Sequence, residues 1–248
     1  MAESSSEVDG VSVAIVTGAS RGLGLALARA LVERGYDLVI DARGRDALST
    51  VRDELAARAA VVALPGDVTD AAHRTALVDA AHGLGGLDVV VNNASMLGPS
   101  PQPRLSEYPL DVLRTVYDTN VVAPLALIQE ALPLLERSGG CILNITSDAA
   151  VEPYEGWGGY GSSKAALEQI TNVLGAEHPN VRVYRVDPGD LNTQMHQEAY
   201  PGEDISDRPP PESAVPGLLT LVEGDLPSGR YRTAELGASA SVPAREDG

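Results

Sequence analysis

Residues Thr17–Gly24 read "TGASRGLG". The apolar run "VSVAIV" (11–16) precedes them, and a helix-like stretch from Leu23 to Arg34 follows. A strand, a glycine turn and a helix in that order place Gly18, Gly22 and Gly24 where the backbone turns tightly. There a pyrophosphate can approach the amide groups at a helix N-terminus. Glycines also serve as plain turn residues, so the strand-to-helix context is what makes the nucleotide reading specific.

Further apolar runs follow: "YDLVIDAR", "AAVVAL", "LDVVVNN", "CILNIT" and "VRVYRVD". They are rich in valine or isoleucine, and none alternates cleanly between apolar and polar, as in strands buried on both faces. Helix-like stretches lie between them, at 46–58, 70–82, 108–137 and 160–176. Strand and helix alternating over short connections predict an α/β protein with a doubly wound parallel sheet and helices on both faces. The stretch 108–137 is expected to be one helix, kinked or frayed near Pro124 and Pro133. Residues 189–211 read as a loop over the carboxyl edge of the sheet, with a short helix near 192–198. A last helix is expected at 212–223, and "SGRYRTAEL" as an edge strand. One domain is expected over 10–234, with disordered tails at 1–9 and 235–248.

Of 248 residues, 44% are hydrophobic, with no phenylalanine and one tryptophan, so the core must be built from Val, Leu, Ile and Ala. The formal charge of −17 gives a surface that repels nucleic acid and anionic membranes, leaving neither as an expected partner. Cys141 is the single cysteine, which excludes an internal disulfide, and its apolar surroundings read as core. No run approaches the roughly 18 apolar residues of a membrane span. The polar start "MAESSSEVDG" lacks the features of a secretory signal, so a cytoplasmic protein is expected. His73, His82, His178 and His196 form no metal-ligand spacing, and no metal is expected. The first three read as solvated surface; His196 falls in the loop over the carboxyl edge.

The spacing Gly-x-x-x-Gly-x-Gly, together with "GDV" (66–68), "NNAS" (92–95), "YGSSK" (160–164) and "DPGDLNT" (187–193), resembles the short-chain dehydrogenase/reductase family. The resemblance covers about residues 11–200. It implies a single-domain Rossmann-like fold that binds a nicotinamide cofactor. Gly18, Ser20, Arg21, Gly22, Leu23 and Gly24 would form the phosphate turn. Asp67 and Val68 would lie near the adenine, and Asn93 and Ala94 after the fourth strand. Pro188, Gly189 and Thr193 would lie near the nicotinamide. Ser95 stands where the family has a glycine, which would alter the backbone slightly. The catalytic residues carried over are Asn120, Ser147, Tyr160 and Lys164. Beyond Thr193 the likeness weakens, and the short segment after Lys164 is loosely similar to the sepiapterin-reductase-like branch.

The Tyr-x-x-x-Lys spacing then acquires a purpose. A free tyrosine has a pKa of about 10, and a lysine ammonium one turn away favours the phenolate. Tyr160 would exchange a proton with a substrate oxygen, and Ser147 would orient that oxygen. Lys164 would hold the nicotinamide ribose, and Asn120 would position a water relaying protons to Lys164. Each residue also has a plain structural reading, as strand end, helix cap or solvated helix face.

These features imply an NADPH-dependent reductase of a small neutral ketone or aldehyde. The alternatives are alcohol oxidation in the reverse direction, or a catalytically silent NADP-binding sensor or scaffold. The expected substrate lining is Ser95, Met96, residues 148–150, Pro153, Tyr154, Trp157 and residues from Asp190 onward. The acidic loop disfavours an anionic substrate. NADP(H) is expected because Ala42 takes the place where NAD-type members carry an acid. Arg43 falls where NADP-type members carry their arginine, and Arg21 adds a second cation. Asp41 should point to the other face of its strand. The apolar "VVAPLALIQEALPLL" (121–135) and the family's pairing of this helix imply a homodimer, with a tetramer the alternative.

Overall fold

The computed structural model describes residues 10–237. Seven strands form one sheet in the order β3-β2-β1-β4-β5-β6-β7, and every neighbouring pair is parallel. They are β1 (Val13–Val16), β2 (Asp37–Ala42), β3 (Val61–Pro65), β4 (Val89–Asn92), β5 (Cys141–Ile145), β6 (Arg182–Asp187) and β7 (Gly229–Arg232). Between them run α1 (Gly22–Glu33), α2 (Arg45–Leu55), α3 (Ala71–Gly83), α4 (Leu110–Tyr117), α5 (Ala123–Ser138), α6 (Gly158–Glu177), α7 (Gln194–Ala199) and α8 (Val215–Glu223). The sheet is doubly wound, as the alternating pattern requires. The chain leaves β1 toward β2 on one side and later returns to place β4 on the other. A crevice therefore opens at the carboxyl ends of β1 and β4.

Strand side chains alternate between two cores, which explains why the strand sequences do not alternate in polarity. Ala14, Val16, Leu38, Ile40 and Leu143 pack on one face with α1 and α8 residues such as Leu27, Leu31 and Leu218. Val13, Ile15, Val39, Val90 and Ile142 pack on the other with Leu77 of α3, Leu127 and Ile128 of α5, and Leu174 of α6. Cys141 begins β5 fully buried, and burial pushes its thiol up to about 12. No helix among the described residues is long and apolar enough to cross a membrane.

Three local expectations need correction. The stretch expected as one helix is α4 and α5 joined by a π-turn at Asp118–Val122, which ends two residues before Pro124. Pro124 has no N–H for the carbonyl four residues back, that of Asn120 inside the π-turn, whereas Pro133 lies inside α5 without ending it. The edge strand "SGRYRTAEL" is present as β7, but Thr233–Gly237 then forms a short helix, α9. Residues 235–237, expected in the tail, are thus helical; 1–9 and 238–248 lie outside the described residues. His73 is not a solvated surface residue. Its Nε2 lies 3.0 Å from Asp41 Oδ2, and its ring packs so closely on Gly66 that a Cβ there would meet Nδ1 at 2.3 Å.

Candidate active site

The glycine turn is built from contacts that leave no room for side chains. Gly18 has φ +67°, and a Cβ on Gly24 would stand 2.5 Å from Asn93 Nδ2 and 2.6 Å from the Gly18 carbonyl. Asn93 Nδ2 donates to the Thr17 carbonyl at 2.8 Å and to that of Gly18 at 3.2 Å. Thr17 Oγ1 donates to the Val91 carbonyl and accepts the amides of Asn93 and Ala94, both at 3.0 Å. The first helix starts without a side-chain cap and without an acid in its first turn. Its N-terminal amides are thus available to an anion.

Asp41 faces away from the cleft mouth, as strand alternation predicts. Its Oδ1 accepts the Gly18 amide at 2.7 Å, and its Oδ2 pairs with His73. Both oxygens serve the turn from behind. Ala42 ends the strand, and Arg43 is exposed at the rim. Arg21 reaches across the mouth to Gln194 Oε1 at 2.7 Å.

From this turn a cleft of about 1130 Å³ runs to the ends of β5 and β6. Gly18, Arg21, Gly22, Leu23 and Arg43 line one end, and Ser147, Tyr160, Lys164 and Trp157 the other. Asn93, Ala94, Pro188, Gly189 and Thr193 also line it, whereas Ser20, Gly24, Asp67 and Val68 do not. Asp67 instead accepts both the amide and the hydroxyl of Thr69, and the Thr69 amide holds its carboxyl below the usual range. Among the expected substrate contacts, Ser95, Met96, Asp148, Tyr154 and Trp157 line the cleft, while Ala149, Ala150 and Pro153 do not. Tyr200, which sequence reading did not single out, closes the outer wall by packing on Trp157 and His196 with ring centroids 5.9 and 5.0 Å apart.

Asn120 sits in the π-turn with its side chain fully engaged. Its Oδ1 accepts the Met96 amide (2.8 Å) and the Ser95 hydroxyl (3.1 Å); its Nδ2 donates to the Met96 carbonyl (2.8 Å) and Ser163 Oγ (3.0 Å). It ties the β4 loop to α6 and leaves no side-chain group for the water expected there. Ser95, in place of a glycine, causes no backbone strain, since no described non-glycine residue has positive φ.

Ser147 Oγ donates to Asp148 Oδ1 at 2.9 Å and accepts the Ala149 amide at 3.1 Å. Asp148 Oδ2 accepts the Tyr154 hydroxyl at 2.9 Å. Tyr160 and Lys164 are both buried, with the ammonium 5.4 Å from the tyrosine ring centre. Lys164 Nζ donates to the Ile145 carbonyl at 2.8 Å. Here the sequence-based electrostatics are reversed. Burial dominates, pushing Lys164 down to about 7 and holding the Tyr160 phenol well above its ordinary value. The Ser95 hydroxyl opposes the rise in Tyr160, and the charges of Asp148 and Asp187 add to it. Without a bound cation, Tyr160 is therefore a neutral phenol at neutral pH. A further signal lay unread in the composition: Lys164 is the only lysine in a chain whose other cations are arginines.

Residues 12–204 match the short chain dehydrogenase family. The chain belongs to that family. It is 35% identical over 195 residues to a benzil reductase ((S)-benzoin forming) of Saccharomyces cerevisiae, covering 75% of this chain and 74% of the yeast protein. A short chain dehydrogenase from Pseudomonas syringae superposes with a TM-score of 0.84 at 30% identity, covering 90% of this chain and 95% of that one. An alcohol dehydrogenase from Thermococcus sibiricus, complexed with 5-hydroxy-NADP, superposes with a TM-score of 0.79 at 31% identity, covering 89% and 95%. This short chain dehydrogenase is thus an oxidoreductase of a family that binds a nicotinamide cofactor.

The burial of Lys164 has a measurable consequence. Protein labelled with ¹³C at lysine Cε should give one lysine resonance, titrating near pH 7 instead of 10.5. A lysine depressed in the folded state is proton-poor relative to the unfolded chain between those values. Its contribution to stability therefore rises with pH across that window. Urea denaturation from pH 6 to 9 should show the wild type gaining stability relative to Lys164→Met as pH increases. A pH-independent difference would show that Lys164 stays charged.

Proposed function

We propose that this short chain dehydrogenase reduces small neutral ketones or aldehydes with NADPH. The observation that carries the reading is the convergence of Ser147, Tyr160 and Lys164 at one end of the cleft whose other end is the glycine turn. The residues present suit the cofactor: Gly18 and Gly22 line the cleft without side chains, and the start of α1 is uncapped. The turn and the α1 amides would hold the pyrophosphate, and Arg21 and Arg43 a 2′-phosphate. When bound, the reduced nicotinamide supplies a hydride to the carbonyl carbon. Tyr160 gives its proton to the carbonyl oxygen, which becomes the alcohol hydroxyl. Ser147 donates a hydrogen bond to the same oxygen, exchanging its Asp148 partner for the substrate.

The neutral phenol of Tyr160 is the form that gives a proton to a carbonyl oxygen. Asp148, Asp190 and Glu198 line the cleft and disfavour an anionic substrate. Trp157 and Tyr200 offer faces for a flat ring, in keeping with the diketone named for the yeast relative. The silent-sensor alternative is separated by consumption of NADPH with benzil and small diketones. Tyr160→Phe should retain NADPH binding, read by cofactor fluorescence, yet lose at least ~100-fold in turnover. Near-normal turnover would sink the mechanism.

Cofactor choice rests on Ala42 and Arg43. Two charge-assisted contacts to a phosphate supply about 3 kcal/mol, a preference on the order of 100-fold for NADPH. Steady-state kcat/KM with both cofactors should show that preference in the wild type, and Ala42→Asp/Arg43→Leu should abolish or invert it. A wild type preferring NADH would mean the wrong residue was assigned to the ribose.

A homodimer through the outer side of α5 and α6 is also part of this reading. Val122, 55% exposed, and Val173, 42% exposed, leave apolar surface there. Sedimentation at micromolar concentration should give a dimer; a monomer would count against it.

A further inference from the structure

Arg230 stands on β7, the edge strand next to β6, and reaches across β6 toward the end of β5. Its Nε donates to Glu168 Oε1 at 2.9 Å. Its Nη2 donates to Asp187 Oδ2 at 3.2 Å and to the Ser147 carbonyl at 3.3 Å. Glu168 and Asp187 are buried, and Arg230 is about three-quarters so, with 24% of its side chain exposed. Arg232 also approaches Asp187 Oδ2, at 3.4 Å, but its side chain is 56% exposed and counts for less.

Each partner of Arg230 belongs to a different part of the catalytic end. Glu168 lies one turn beyond Lys164 on α6 and accepts the Thr146 hydroxyl at 2.9 Å. Asp187 ends β6, and its Oδ1 accepts the Gly189 amide at 3.0 Å. Three consecutive residues at the end of β5 are thus held in turn: the Ile145 carbonyl by Lys164, the Thr146 hydroxyl by Glu168, and the Ser147 carbonyl by Arg230. We propose that Arg230 is a positioning residue of the active site, locking the Ser147 backbone, the Lys164 helix and the Pro188–Gly189 turn together while neutralising the two buried carboxylates beside them.

The charge is as important as the contacts. Two buried carboxylates without a cation would favour the ammonium form of Lys164 and disfavour the phenolate of Tyr160. The groups acting on Tyr160 are Asp148 after β5, Asp187 at the end of β6 and the Ser95 hydroxyl after β4, and Glu168 lies buried four residues beyond Lys164 on α6. Trp157, packed on Tyr160, brings Tyr200 of the α7 segment near, with His196 behind it. Arg230 lies against two of these acids, Glu168 and Asp187, and offsets them.

This inference rests on the reductase reading for its kinetic part only. In full-length Arg230→Gln, the single ¹³Cε-lysine resonance should titrate about one pH unit higher than in the wild type. With NADPH and benzil, kcat should fall about tenfold with a smaller change in KM, and Arg230→Lys should recover part of kcat. Adding Asp187→Asn, which keeps the acceptor for the Gly189 amide, should return the lysine midpoint toward the wild-type value. If Arg230→Gln does not fold, Glu168→Gln supplies the complementary test, and the lysine midpoint should then move down. An unmoved lysine midpoint in the folded variants, with only unfolding free energy reduced, overturns the proposal and leaves a simple brace. Normal turnover in Tyr160→Phe overturns the reductase reading instead, and the lysine midpoint distinguishes the two failures because it needs no turnover.

Discussion

The hydroxyl of Thr17 sits where the two halves of the sheet part. It donates to the Val91 carbonyl of β4 and accepts two amides from the segment that follows. Asn93 answers by donating to the carbonyls of Thr17 and Gly18. Strand order reverses between β1 and β4, so the helices that follow them leave on opposite faces and a crevice opens. Without the lacing, buried backbone groups on both sides would lack partners, at a cost of about 1–3 kcal/mol each. With it, the glycine turn is held against β4, and the cleft has a fixed edge from which everything else is measured. Asp41 supports the same turn from behind through the Gly18 amide, and His73 holds Asp41.

Both signs of charge line the cleft. Arg21 and Arg43 lie on it beside the glycine turn, and Asp148, Asp190 and Glu198 line it too, with Gln194 bridging Arg21 and Glu198. Lys164 also lines it, buried, and the loss of water around its ammonium disfavours the charge. Burial brings Lys164 down to about 7, close to neutrality.

Much of this was legible beforehand. The glycine turn, the strand and helix order, the Tyr160–Lys164 spacing and the edge strand were all read from local pattern. Other readings failed for identifiable reasons. The prolines at 124 and 133 suggested where the long helix would break; the π-turn does lie just before Pro124, around Asn120, whose amide is claimed by Met96 and Ser163, but α5 runs through Pro133 unbroken. His73 looked solvated because nothing nearby in sequence buries it; Asp41 and Gly66 do so from β2 and the turn after β3. The lysine was expected to acidify Tyr160, but both side chains lie deep, and burial disfavours the charged form of each.

What the sequence by itself determined was everything that repeats within a few residues. Apolar runs mark buried strands, the spacing of four puts Tyr160 and Lys164 on one helix face, and glycines mark where backbone must approach backbone. Those rules act over one turn or one strand, so they survive without knowledge of the rest of the chain. The tertiary structure alone decided which residues distant in sequence meet: Ser147, Glu168, Asp187 and Arg230 come from three strand ends and a helix. It also decided which charges are buried. Register across parallel strands and the loss of water around an ion are properties of the assembled sheet, and no window of sequence contains them.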